Sequence, residues 1–169
     1  GLAIINPAAS KQERNWSIEN YAKTADYLAE KGFLVALTGG PSEMEKALAE
    51  DITKNSQHAP VNFIGKTSLQ QLPALLKQAS IVVAPDTGPA HIAAMMGCKV
   101  IGLYAHSNPR RTGPYNNIDN VVSVYDEEIK KQKGKEWEAL PWGTRAKGKD
   151  LMQGITFENV AKKIDALIA

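Results

Sequence analysis

The sequence has little cysteine, no long apolar run and almost no net charge. Its single cysteine, Cys98, excludes an internal disulfide and a cysteine-based zinc site, and its apolar surroundings favour a buried, inert thiol. No apolar run approaches the roughly 18 to 20 residues that span a membrane. Because 20 basic residues stand against 18 acidic ones, the net charge of +2 gives no reason to expect nucleic-acid binding. The remaining composition is that of an ordinary globular protein, and its length suits one domain.

The first residues carry neither an initiator Met nor the basic leader of a signal peptide. The cell interior is therefore the expected compartment. The chain opens directly in a strand-like run without a preceding cap or turn. Such a start is typical of a fragment cut at a domain linker, and also of a processed N-terminus. We expect residues 1–169 to form one domain, a C-terminal fragment of a longer protein.

Short apolar runs alternate regularly with stretches of helical periodicity. The pattern predicts strands at 2–6, 33–38, 61–64, 81–84, 100–104 and 121–124. It predicts helices at 18–31, from about 42 to 55, at 68–79, from about 88 onward, and at 155–169. Uninterrupted runs such as IVVA and VIGL are typical of strands buried on both faces of a parallel sheet. The predicted fold class is therefore α/β, with a Rossmann-like doubly wound parallel sheet.

The segment 127–154 interrupts this alternation and is expected to be irregular. It is rich in lysine, has little apolar periodicity and contains Trp137 and Trp142. The simplest interpretation is a solvated loop or surface helix held down by the two tryptophans. The alternative is a basic-aromatic surface for an anionic partner or membrane head groups.

Polar or glycine-rich loops follow four of the predicted strands, at 6–14, 38–43, 65–68 and 85–91. Ligands of a doubly wound sheet bind outside the carboxyl ends of its strands. These loops are therefore expected to converge on one rim.

Two phosphate-binding signatures are incomplete. FIGKTS resembles the end of a P-loop, but its leading glycine would have to occupy the position of Pro60. No G-x-G-x-x-G follows any predicted strand. No D-x-D or His/acid cluster of metal-ligand spacing occurs either, so neither a cofactor nor a metal is expected.

The stretch PDTGPAH combines an acid, a hydroxyl, a glycine and a histidine where a strand passes into a helix. Asp86 or Thr87 would cap that helix, and capping alone explains these two residues as well as a function does. Gly88 lets a ligand approach the backbone, and the unpaired N–H groups of the helix N-terminus form an anion site. A cap has no use for the imidazole of His91, so here a functional role is favoured over a packed core histidine.

Two further loops offer polar candidates. Ser10 supplies a hydroxyl, and Arg14 could hold a diphosphate through a bidentate fork, although a surface arginine is the default interpretation. Glu43 could accept hydrogen bonds from ribose hydroxyls or could simply favour the helix dipole.

The motifs PDTGPAHIAAMMGCKVIGLY and SNPRRTGPY, with NPAASKQERNWS and LTGGPSE, resemble those of the ADP-heptose heptosyltransferases. Nearly the whole chain resembles the C-terminal, donor-binding domain of that family. The resemblance implies one half of a two-domain GT-B type glycosyltransferase with its active site between the halves. It also implies inverting, metal-independent transfer of heptose from ADP-heptose to the inner core of lipopolysaccharide.

The resemblance further implies a role for each candidate. Ser10 and Arg14 would contact the diphosphate, Glu43 the adenosine ribose, and Thr67 would lie near the adenine. Asp86 would hold sugar hydroxyls, while Thr87, Gly88 and His91 would hold phosphate and sugar, with His91 also stabilising the leaving group. The general base would be an aspartate of the N-terminal domain.

The expected partners are an ADP-sugar donor and a lipid A–core acceptor that binds through the N-terminal domain, with no nucleic acid. The expected location is cytoplasmic, with peripheral contact at the inner face of the bacterial inner membrane left open. Two alternatives remain: a nucleotide-binding module without its own chemistry, and a UDP-sugar epimerase-like domain that would select UDP.

Overall fold

Six strands and seven helices make up the regular structure. In the computed structural model, which describes residues 1–169, the strands are β1 (Leu2–Ile5), β2 (Leu34–Leu37), β3 (Val61–Asn62), β4 (Ala79–Pro85), β5 (Lys99–Tyr104) and β6 (Val122–Ser123). The helices are α1 (Ile18–Glu30), α2 (Glu43–Asn55), α3 (Gln71–Gln78), α4 (Gly88–Met95), α5 (Pro109–Thr112), α6 (Tyr125–Lys133) and α7 (Phe157–Ile168).

All six strands lie in one sheet in the order β3-β2-β1-β4-β5-β6, and every neighbouring pair is parallel. The strand order reverses between β1 and β4, which is the arrangement of a doubly wound fold. The fold class predicted from the sequence is therefore confirmed.

Alternate residues of each strand pack on opposite faces of the sheet, so both faces are buried. Ile5, Val83 and Ile101 face a large core that α1, α2 and α7 cover. Ile4 and Val82 face a smaller core beneath α3 and α4. The small residues of α4 (Ala90, Ala93 and Ala94) let that helix lie close to the sheet.

Local sequence signals set several helix ends. The Ser17 side chain accepts a hydrogen bond from the Asn20 N–H at the start of α1, and Gly32 follows the helix with φ of 91°. The Thr156 side chain caps α7 through the Asn159 N–H. Each of these helix ends depends on residues that are close together in the chain.

The third helix is shorter than its periodicity predicts. Its regular part begins at Gln71 instead of residue 68, after a turn over residues 69–70 in which the Ser68 side chain accepts from the Gln71 N–H. Leu69 lies in that turn and is 93% exposed.

The segment 127–154 is more regular than expected. Its first residues continue α6, which begins at Tyr125, and two short 3₁₀ turns follow at Trp137–Ala139 and Leu151–Gly154. Arg110 lies over the Trp137 ring, 4.1 Å from its centroid, and forms a two-pronged ion pair with Asp126 at 2.8 Å. The contact with Trp137 joins the segment to α5.

None of the helices is both long enough and apolar enough to cross a membrane.

The burial pattern of β2 predicts a stability difference between two leucines of the same strand. Leu37 is fully buried and Leu34 is 62% exposed. Leu37→Ala is expected to lower the free energy of unfolding by about 2–5 kcal/mol, because it opens a cavity in the core. Leu34→Ala is the matched control, with an expected change within about 0.5 kcal/mol. Urea denaturation measures both, and an equal loss would contradict the predicted burial.

Candidate functional site at the carboxyl edge of the sheet

A cleft of about 760 Å³ opens at the carboxyl edge of the sheet, where the loops after β1, β2, β3 and β4 meet. The residues of the predicted site that line it are Ser10, Arg14, Thr67, Asp86, Thr87, Gly88 and His91. The structure thus brings together seven of the eight predicted residues, and Glu43 is the exception.

A buried amide holds the strand ends together beneath this cleft. The Asn6 side chain donates to the carbonyl and to the hydroxyl oxygen of Thr38, both at 3.1 Å. The Asn6 backbone N–H donates to the Val83 carbonyl at 2.9 Å. Asn6 therefore joins the ends of β1, β2 and β4. The sequence reasoning did not single it out, although a polar residue directly after a buried strand was a visible signal.

The first loop, which connects β1 to α1, is anchored on both sides of Arg14. The Ala9 N–H donates to the Asn15 side chain at 2.7 Å. The Trp16 ring packs edge-on against Tyr21, with 5.4 Å between centroids, and its indole N–H donates to the Ile155 carbonyl at 2.9 Å. The 3₁₀ turn Gln12–Arg14 lies between these anchors and places the half-buried Arg14 at the cleft.

The N-terminus of α4 lies at the cleft and is capped by Thr87, whose hydroxyl accepts from the Ala90 N–H at 3.3 Å. Pro89 occupies the first turn, where its missing N–H is not needed. A Cβ atom added at Gly88 would meet nothing within 4 Å, so this approach to the backbone is open. The unpaired amides and the helix dipole, worth roughly half a positive charge, favour an anion here.

Asp86 is surrounded by donors. The Tyr104 and Thr112 hydroxyl groups each lie 3.4 Å from its carboxylate, and the His91 Nε2 lies 3.9 Å away. Burial and the charge of Asp86 raise the pKa of Tyr104 far above its usual value, so the phenol keeps its proton. The carboxylate retains acceptor capacity for ligand hydroxyl groups.

Glu45, rather than Glu43, reaches the cleft. One oxygen of Glu45 accepts from the Gly40 N–H at 2.9 Å and the other from the Ser42 hydroxyl at 2.7 Å. The side chain of Glu43 is 94% exposed and pairs with Lys46. Two residues along a helix rotate a side chain by about 200°, which separates the two glutamates. The Ser42-x-x-Glu45 capping box was the signal in the sequence that pointed to Glu45.

The loop after β3 and the first turn of α3 add an apolar wall to the cleft. Leu69 and Leu72 line the cleft beside Thr67, and Leu69 presents its side chain to solvent. A large exposed apolar side chain at the edge of a polar cleft is a surface on which a flat ring can pack.

Groups that could perform other chemistry lie elsewhere or are missing. No three His, Cys, Asp or Glu side chains come together in a way that could hold a metal ion. The Cys98 thiol is buried and donates to the Leu76 carbonyl, and burial raises its pKa. The sequence-based interpretation of Cys98 as a buried thiol is confirmed.

The cleft therefore offers three kinds of contact. Arg14, His91 and the α4 N-terminus favour a negatively charged group. Asp86 and Glu45 offer carboxylate oxygens, and the leucine wall offers apolar surface. An anion flanked by hydroxyl-bearing groups and a flat ring matches all three.

Known proteins with the same sequence features and fold identify the family. The model of glycosyltransferase family 9 (heptosyltransferase) matches residues 1–142. The chain is 46% identical over 164 residues to the lipopolysaccharide core heptosyltransferase OpsX of Haemophilus influenzae, a match that covers 97% of this chain and 47% of that protein. The chain therefore spans about half the length of this relative.

Solved structures agree on the fold. The Escherichia coli ADP-heptose lipopolysaccharide heptosyltransferase II superimposes with a TM-score of 0.75 at 21% identity, over 99% of this chain and 46% of that one. The Escherichia coli heptosyltransferase WaaC, solved with ADP, gives 0.71 at 22% identity, over 98% and 44%. Together with the match to the family model, the sequence and its doubly wound sheet establish that the chain belongs to glycosyltransferase family 9, the heptosyltransferases.

Proposed function

We propose that this chain is the donor-binding part of an inverting, metal-independent glycosyltransferase that moves heptose from ADP-heptose to the inner core of lipopolysaccharide. The convergence of Arg14, His91 and the α4 N-terminus on one cleft carries the proposal. Membership of the heptosyltransferase family and the ADP bound to a relative of the same fold support the choice of donor.

In this proposal each part of the donor would contact a different surface of the cleft. The diphosphate would lie against the amides at Thr87 and Gly88, where Arg14 reaches it through its terminal nitrogens. Asp86 would accept hydrogen bonds from sugar hydroxyl groups, and Ser10 would donate to phosphate. The adenine would pack between Thr67 and the leucine wall of Leu69 and Leu72, and the ribose would face Glu45 in place of Glu43.

The chemical step in this proposal is a direct displacement. A hydroxyl oxygen of the acceptor forms a bond to the anomeric carbon while the bond from that carbon to the diphosphate oxygen breaks, and ADP leaves with the electron pair. Negative charge then grows on the diphosphate. Arg14, His91 and the α4 amides would stabilise that charge by donating hydrogen bonds from fixed positions.

The remaining parts of the reaction would lie outside this cleft. We assign no residue of the chain as the general base, and we place the lipid A–core acceptor and its base on another part of the enzyme. The expected location is the cytoplasmic side of the inner membrane, where the lysine-rich segment 127–154 would face lipid head groups.

The first test is calorimetric titration of the chain with ADP and with UDP, each in the presence of EDTA. We expect binding that selects ADP, and we expect Arg14→Ala to weaken it by about tenfold or more, because a charged hydrogen bond to phosphate is lost. Selective binding of UDP would instead favour the epimerase-like alternative. ADP binding that vanishes in EDTA would overturn the metal-independent proposal.

A pair of glutamate variants tests the placement of the ribose. Glu45→Ala is expected to weaken ADP binding about tenfold, because it removes an acceptor and frees the loop at Gly40. Glu43→Ala is the matched control, since its side chain points to solvent. The reverse result would restore the role that the family resemblance assigned to Glu43.

Turnover in the full enzyme tests the role of His91. His91→Ala is expected to lower kcat by about a hundredfold or more, because a preorganised donor to the leaving group is lost. His58→Ala is the matched control, since His58 also pairs with an aspartate, Asp26 at 3.6 Å, but lies outside the cleft. Near-normal kcat for His91→Ala would remove His91 from the mechanism.

A further inference from the structure

Three buried polar atoms beneath the cleft have no hydrogen-bond partner within the protein: Arg14 Nε, His106 Nδ1 and Ser107 Oγ. His106 and Ser107 are each 4% exposed and lie two and three residues after the end of β5. Most buried polar atoms in proteins are paired, because an unpaired one loses its hydrogen bond to water without replacement. Three unpaired atoms in one place therefore indicate a common hydrogen-bond partner.

The residues that carry these atoms line one small cavity. Its volume is about 10 Å³, close to the space that a single water molecule needs. Asp86 and Arg14 line both this cavity and the large cleft, so the cavity lies directly below the cleft floor. Met152 lines the small cavity as well.

The hydrogen bonding of His106 determines what its free nitrogen can do. His106 Nε2 lies 2.7 Å from the Gly148 carbonyl, which can only accept. Nε2 therefore carries the proton, and in the neutral ring Nδ1 is an acceptor. Arg14 Nε is a donor without acceptor capacity, and the Ser107 hydroxyl can do both. A water molecule can accept from Arg14 Nε–H and donate to His106 Nδ1, so it matches this set.

We propose that one ordered water fills this cavity, bridges Arg14 Nε to His106 Nδ1 and Ser107 Oγ, and makes His106 a positioning residue for Arg14. Nε is the one side-chain nitrogen of Arg14 that is both buried and unpaired. Held there, the guanidinium keeps its terminal nitrogens for the cleft. The guanidinium would then be oriented in advance to bind the diphosphate through two nitrogens, and this part of the inference rests on the proposed function.

The bridge also gives the segment 127–154 a structural role at the site. The Ala146 N–H donates to the His106 carbonyl at 2.9 Å, and Gly148 accepts from its ring. The segment thus fixes the backbone and the tautomer of His106, and Met152 closes the cavity from below. Residues far from the ligand would in this way set the orientation of Arg14.

Two substitutions of His106 test the roles of its two ring nitrogens separately. In His106→Gln the amide N–H can still donate to Gly148, but the acceptor at the Nδ1 position is lost. In His106→Asn the side-chain oxygen can take the Nδ1 position, but the bond to Gly148 is lost. Urea denaturation establishes that both variants fold.

The readout that needs no ligand is hydrogen exchange of the Arg14 Nε–H in the chain by ¹H–¹⁵N NMR, with the signal assigned by its loss in Arg14→Lys. Exchange is expected to be slow in the wild type and in His106→Asn, and about tenfold faster in His106→Gln, as one lost hydrogen bond predicts. Equal exchange in the Gln variant and the wild type would overturn the bridge. So would fast exchange in the wild type.

The second readout is ADP affinity in a double-mutant cycle. His106→Gln is expected to weaken ADP binding about tenfold in the wild-type background and not at all in Arg14→Ala, because its effect passes through Arg14. Equal weakening in both backgrounds would refute a positioning role. If the wild type binds no ADP but the exchange pattern holds, the proposed function fails while the water bridge is supported.

Discussion

The cleft depends on the parallel pairing of six strands, because that pairing brings their carboxyl ends to one edge. Backbone carbonyls and N–H groups at such an edge need partners once the ladder stops. Asn6 meets this need for three strands at once, through Thr38 and Val83. The loops that diverge from this edge then carry the polar side chains to a common point. The convergence of seven predicted residues in one cleft is a consequence of sheet topology.

The carboxylates at the cleft already accept hydrogen bonds from groups of the protein. Glu45 accepts from Gly40 and Ser42, and Asp86 accepts from two neighbouring hydroxyl groups. Arg14 has no acidic partner within salt-bridge distance, whereas Asp86 directly precedes the Thr87 cap of α4 and lies 3.9 Å from His91. An anionic ligand would therefore meet uncompensated positive charge while its hydroxyl groups face oriented acceptors. This asymmetry suits a sugar attached to a diphosphate.

The C-terminal quarter of the chain supports the site from beneath. The contact of Arg110 with Trp137 joins the segment 127–154 to α5. Farther along the chain, the Ile155 carbonyl accepts a hydrogen bond from the Trp16 indole N–H and so supports the loop after β1. The C-terminal part of the chain thus supports one loop that lines the cleft, the loop after β1, and also contacts the region after β5. The lysines of the segment 127–154 remain at the surface, where Lys130 pairs with Glu136 and Lys131 with Glu128.

The sequence by itself determined the fold class, the succession of strands and helices along the chain, and helix caps such as Ser17. These signals reside in neighbouring residues. It also identified most of the cleft, since strand ends in a parallel sheet share one edge. Tertiary structure decided that Glu45 and not Glu43 faces the cleft, because the rotation of a helix about its axis is fixed by packing. It also decided the place of His106, whose partner Gly148 lies 42 residues away. Contacts between distant segments leave no local pattern, so only the folded chain reveals them.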